Sequence, residues 1–269
     1  CGVAINAPMA CIPIRAITNV IRHPNFGGEL MIVGLGCEKL TYDRILPPED
    51  ITPKNCLTLQ DCKGHDAMMQ AILDMAEQKL QKLNQRHREE LPLSDLLIGM
   101  QCGGSDAFSG ITANPSAGYA ADMLVRGGAT VLFSEVTEVR DGVPLLAARC
   151  VSENVRNKLA AEMKWYDDYL ACGGVDRDAN PTPGNKAGGL TTMTEKNLGR
   201  FKTQGHRRIL GILDCGDPVP GAGAWGINQA QGANDAYAST TLAMSGCHIC
   251  LFTTGRGNPI GNACMTTIK

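Results

Sequence analysis

Three cysteines sit where an apolar or glycine-rich run opens into a loop: Cys1-Gly2, Gly34-Leu35-Gly36-Cys37-Glu38 and Gln101-Cys102-Gly103-Gly104-Ser105-Asp106. Soft thiolates in such places select iron, zinc or an iron–sulfur cluster. A lone cysteine is more often a packing residue, but three in equivalent loops suggest a metal or a covalent chemistry. None of the three belongs to a Cys-x-x-Cys pair, so the fold has to assemble the site. Cys247 and Cys250 do have that spacing, yet they open a predicted strand, where residues three apart face opposite sides. They cannot easily share one metal and are discounted as a site.

Four other loops carry polar chemistry. Ser105 through Pro115 packs hydroxyls, the carboxylate of Asp106 and the amide of Asn114 ahead of a helix predicted to start near Ser116. Asn114 or Ser116 either caps that helix, or the run, Ser105 included, binds a polyhydroxylated ligand whose carboxylate meets the helix amides. In Ser134 through Asp141, Glu135 comes first past the apolar run and is a candidate general base or metal ligand. The competing reading is a solvent-facing strand end. In Asn180 through Gly189, prolines stiffen the start and glycines admit close backbone approach. Lys186 there binds a carboxylate or, if burial lowers its pKa, acts as a base; a plain surface lysine is the alternative. Its neighbour Asn185 joins the ligand-binding candidates. Last, Thr253 through Gly261 has Gly-x-Gly-x-x-x-Gly spacing with no helix after it, a weak dinucleotide signal. Arg256 between two glycines suits a bidentate grip on a carboxylate.

Continuous Ile, Val, Leu and Phe runs place the strands that position these loops at 30–35, 96–100, 129–133, 208–213 and 248–253. Helical patterns fall at about 8–22, 65–87, 116–127, 151–171 and 234–245. The alternation predicts an α/β fold of layered, mostly parallel sheet with helices on both faces. The Gly, Pro, Asn and Asp-rich stretch 173–195 reads as a long functional loop between two lobes, 1–175 and a smaller, truncated 176–269. The basic end of the second helix, with Lys79, Lys82, Arg86 and Arg88, reads as a solvated face.

Net charge of −2 over 269 residues gives no reason to expect nucleic acid or an acidic membrane surface as partner. No stretch approaches the roughly 18 apolar residues of a membrane span. Twelve cysteines scattered through strand and helix patterns point to reduced thiols in a cytoplasm rather than a disulfide scaffold. Cys11, Cys56, Cys62, Cys150, Cys172 and Cys264 are expected to be small buried or half-buried side chains. The start at Cys1 without Met and the stop at Lys269 inside a β-like run read as a piece of a longer protein.

The long motifs Gly34–Glu38, Gln101–Pro115, Asn180–Gly189 and Thr254–Pro259 resemble the galactarate/altronate dehydratase family. Cys1–Pro8, Gln81–Arg86 and Ser134–Asp141 resemble its galactarate branch more than the altronate one. The segment around 214–231 departs from that branch and has no functional reading. The resemblance implies an iron-dependent cytoplasmic hydro-lyase with further domains, and a small hexaric or sugar acid as substrate. It implies dehydration of galactarate to 5-dehydro-4-deoxy-glucarate by α-proton abstraction and loss of the β-hydroxyl. On this reading Cys1, Cys37 and Cys102 hold iron, as Fe2+ or as a cluster. Arg256 grips the remote carboxylate, Glu135 or Lys186 moves protons, and Asp106, Asn114, Ser105 and Asn185 orient the substrate. A homodimer is allowed. The alternatives are dehydration of altronate or a related sugar acid, and a non-catalytic metal-binding or interface domain. A nucleotide-dependent oxidoreductase rests on the weak glycine loop alone.

Overall fold

A computed structural model describes residues 5–7, 10–175, 180–227 and 234–269. Its contacts divide the chain into two compact units, Cys1–Glu90 and Leu91–Lys269. The boundary expected at 175/176 is not where the chain divides, because one sheet takes strands from both sides of that loop.

The smaller unit holds helix α1 (Cys11–Ile21), the parallel pair β1 (Ile32–Gly34) and β2 (Cys56–Thr58), and the 20-residue helix α2 (His65–Asn84). The basic end of α2 is not simply solvated. Lys79 and Lys82 lie 3.4 Å from a carboxylate oxygen of Glu29, and Arg86 lies 3.7 Å from the other. Burial pushes the Glu29 carboxyl up, but the Lys79 hydrogen bond and the charges of Lys82 and Lys79 outweigh it and leave its pKa below the usual range. A depressed carboxyl pKa adds stability above its unfolded value that disappears as pH falls through the folded one. Glu29→Gln should therefore destabilise this unit at neutral pH, and the difference from the parent should shrink as pH falls through the usual carboxyl range and vanish below the lower, folded-state pKa. Melting curves of both proteins across pH check this; a pH-independent difference would overturn it.

The larger unit is built on a six-stranded, all-parallel sheet in the order β5-β6-β4-β3-β7-β8. The strands are β3 (Leu97–Cys102), β4 (Thr130–Phe133), β5 (Ile209–Leu213), β6 (Gly223–Ile227), β7 (Ile249–Thr253) and β8 (Thr266–Ile268). Between them come α3 (Ala107–Ile111), α4 (Ala113–Arg126), α5 (Val143–Ala147), α6 (Glu153–Cys172), α7 (Pro183–Ala187), α8 (Met193–Thr203) and α9 (Asp235–Met244). Strand β4 shows how the sheet earns two cores. Val131 and Phe133 pack on one face with Ile98, Leu146 and Leu159, while Leu132 packs on the other with Leu242, Cys250 and Phe252. A period of two puts consecutive apolar residues on opposite faces, so a doubly covered strand reads as an unbroken apolar run.

Three expectations are corrected. The stretch 173–195 carries α7 and the start of α8 rather than open loop; 176–179 lie outside the described residues. Residues 136–142 form a 3₁₀ turn, not a strand end. Cys11 and Cys172 are exposed rather than packed. Cys247 and Cys250 belong to the core: both are fully buried, and burial pushes the Cys250 thiol up to about 12.

Candidate active site

In the larger unit, chain order reverses direction around β3: β4 is added on one side and β7 on the other. Ligands in open parallel sheets bind outside the carboxyl ends of strands at such a point. The loops there are tied together. The Gly103 amide donates to Thr253 O at 3.1 Å, and the Arg256 and Gly255 amides donate to Gly104 O at 3.1 and 3.3 Å. A polar cavity of about 440 Å³ opens beside them. Cys102, Ser105, Glu135, Asn185 and Arg256, all anticipated as site residues, line it.

Cys102 ends β3, buried, with its Sγ 3.0 Å from Ser105 Oγ and 3.6 Å from Asn114 Oδ1. Asn114 is not a helix cap. It lies in the first turn of α4, is buried, and donates through Nδ2 to Gly199 O on α8 at 3.0 Å. Asp106 is the cap, of α3, in a reciprocal box with Ser109. Asp106 and Asn114 line a second, smaller cavity of about 180 Å³ that shares Cys102, Ser105 and Lys196 with the first. Asn185 donates to Ser105 O at 2.8 Å, and the Arg256 guanidinium donates to Gly184 O, so α7 is bound to both glycine loops. Lys186, on the same helix, is exposed and lines neither cavity.

Glu135 follows β4 by two residues in the left-handed conformation, φ 59° and ψ 39°, and is 1% exposed. A non-glycine residue held there, with a buried carboxylate, is the kind of local strain that gathers at functional sites.

Three cavity residues were not anticipated. Glu138, one turn past Glu135 and 5% exposed, lies 3.3 Å from the ammonium of Lys196, which is 11% exposed. Lys196 also donates to Asn180 Oδ1 at 3.0 Å. Asp235 opens α9 and accepts from Gln101 Nε2 at 3.0 Å and Asn258 Nδ2 at 2.7 Å. Its carboxylate lies so close over Gly103 that a Cβ there would come within 2.3 Å of Oδ2. A sequence signal for Lys196 existed: Thr192-x-x-Glu195 is a helix-start pattern, and Thr192 does accept from the Glu195 amide at 3.2 Å.

Of the thiols expected to hold iron, Cys102 fits one ligand position, being a soft donor at the wall of a polar cavity. Cys37 is exposed in the smaller unit, on a loop that Glu38 folds back on itself by accepting from the Leu35 amide at 2.8 Å and from the Gly36 amide at 2.5 Å. Those bonds, with one from its own amide, hold the Glu38 carboxyl below its usual range. Cys1 lies outside the described residues. Among the described residues no three His, Cys, Asp or Glu converge as a metal site.

Two family descriptions match the chain: "D-galactarate/Altronate dehydratase, C-terminal" over residues 93–269 and "D-galactarate dehydratase/Altronate hydrolase, second domain" over 1–84. They meet where the contacts divide the two units. The chain is 51% identical to the galactarate dehydratase (L-threo-forming) of Escherichia coli K12, over 97% of its own length and 51% of the relative's. It is 37% identical to an altronate dehydratase of Bacillus subtilis 168, covering 92% of this chain and 49% of that one. It is 38% identical to a (2R)-sulfolactate sulfo-lyase subunit beta of Chromohalobacter salexigens, over 72% of this chain and 50% of that one. The chain thus spans about half the length of the curated relatives it matches.

Proposed function

Because the chain belongs to the galactarate/altronate dehydratase family, we propose that its larger unit carries the site at which galactarate loses water to give 5-dehydro-4-deoxy-glucarate. The observation that carries this reading is 51% identity to a galactarate dehydratase along 97% of the chain, against 37% to an altronate dehydratase. The relatives' names describe loss of water or of a sulfonate from hydroxy or sulfo acids, which in each case can proceed by elimination next to a carboxylate.

The cavity's own residues supply the steps. The carboxylate of Glu135 takes the proton from the carbon beside one carboxylate, and that C–H electron pair forms the enediolate. The pair then moves to form the C=C bond as the β C–O bond breaks. The hydroxide leaves as water with the proton that Glu135 had taken, which restores the carboxylate, and the enol product tautomerises to the keto acid. Arg256 holds the far carboxylate by paired donors, and Ser105 and Asn185 bond hydroxyls. Asp106 and Asn114 act from the smaller cavity, which adjoins the first at Cys102, Ser105 and Lys196. Lys186 is exposed on α7, so the proton role falls to Glu135 rather than to it. Cys102 would be this unit's ligand to iron. When bound, iron supplies Lewis-acid polarisation.

Anaerobic incubation of the intact protein with galactarate or altronate, followed by keto-acid detection, tests the reading. It should show kcat/KM for galactarate at least about tenfold higher. No keto acid from galactarate, or a preference for altronate, would overturn it. Iron and acid-labile sulfide measured on the same protein and on Cys102→Ser test the ligand: the variant should lose most of its iron and stay folded. Full iron occupancy in the variant would sink the assignment.

A further inference from the structure

We propose that Lys196 is a catalytic residue whose ammonium binds the carboxylate next to the carbon that loses its proton and takes up the negative charge of the enediolate. This rests on the dehydratase reading above and adds to it a residue and a division of labour between two cations.

The position of Lys196 is costly for a merely structural lysine. It lies in the first turn of α8, where the positive end of the helix dipole disfavours a cation. It is also 11% exposed, so it gives up most of its hydration. Glu138 at 3.3 Å and Asn180 at 3.0 Å compensate. A buried pair of this kind is a weak source of net stability, so stability is a poor reason for a cation here. An ammonium has three N–H donors. Among the described residues Glu138 and Asn180 accept two, which leaves one for a ligand in the cavity that Lys196 lines.

The charges of the cavity indicate what that ligand is. Two cations, Lys196 and Arg256, line it beside three carboxylates. Of these, Glu138 pairs with Lys196, Asp235 accepts from Gln101 and Asn258, and Glu135 is the proposed base. The proposed substrate has two carboxylates, one for each cation. Each cation is tethered to a different part of the wall. Lys196 is bound to Glu138, whose amide donates to Glu135 O at 2.9 Å, so it belongs to the turn that carries the base. Arg256 is bound to Gly184 on α7, across the glycine loop after β7. The cation linked to the base's turn meets the reacting end, and the other meets the remote end. A compact ammonium, fixed by a carboxylate and an amide before substrate arrives, is a preorganised donor for an oxyanion that exists only after proton removal.

The test uses the intact, iron-loaded protein with K196M, K196R and R256M, measuring kcat and KM on galactarate. It also measures inhibition by a nitronate analogue of a hexarate, which mimics the enediolate, against inhibition by a saturated dicarboxylate. K196M should lose about 10²- to 10³-fold in kcat, and K196R should recover part of it. R256M should act mainly through KM. K196M should also lose the nitronate's advantage over the dicarboxylate, a readout that a packing role would not move. Parent-like kcat in K196M, an unchanged nitronate advantage, or equal losses in K196R and K196M with lowered melting temperatures would each overturn the proposal. Failure of the parent protein itself to dehydrate galactarate would instead refute the dehydratase reading on which it rests.

Discussion

Glu135→Gln is expected to lower kcat for galactarate by about a thousandfold, within the range general bases contribute, with little change in KM. Gln keeps the shape of the side chain and removes only its ability to take a proton. The backbone argues for function as well. A left-handed conformation costs a non-glycine residue roughly 1–2 kcal/mol, and Glu135 adopts it, at φ 59°, while burying its carboxylate to 1% exposure. Burying a charge is costlier than burying an amide. The Gln variant should therefore melt no lower than the parent while losing its activity. Thermal unfolding and steady-state kinetics on the same preparations check both halves. A kcat within tenfold of the parent would remove Glu135 as the base and transfer attention to Glu138 and Asp235, which line the same cavity.

Gly118→Ala should damage the fold more than any conservative surface change. Gly118 is in α4, where alanine would ordinarily stabilise a helix by about 1 kcal/mol. Here a Cβ would come within 1.9 Å of the Lys202 carbonyl oxygen on α8 and 3.0 Å of the Gly205 amide nitrogen. Both obstacles are backbone, so no rotamer change relieves them, and overpacking of this kind costs about 3 kcal/mol or more. The net sign is the diagnostic, because helix propensity alone predicts the opposite. Since α8 carries Lys196, forcing the two helices apart should also weaken catalysis in whatever fraction remains folded. Denaturant titration and kinetics would show it; an alanine variant as stable as the parent would mean that α4 and α8 do not approach this closely.

The sequence by itself determined the parallel α/β class, the positions of five of the strands, the two glycine loops, and the placing of Cys102, Glu135 and Arg256 in the loops that line one cavity. These are local signals. A doubly buried strand is a continuous apolar run, and the residue just past its end is where a loop begins. The tertiary structure alone decided which loop faces which. Asp235 is fixed by Gln101, 134 residues earlier, and by Asn258. Lys196 meets Glu138 across 58 residues of chain. The helix that carries it, Met193–Thr203, is polar and short; it docks through Phe201 against the core and through a backbone contact with Gly118. Its capping residues are visible in the sequence, but its partner is not. Dihedral preference and burial period are properties of neighbouring residues, whereas the strand order that gathers these side chains is set by packing between distant ones.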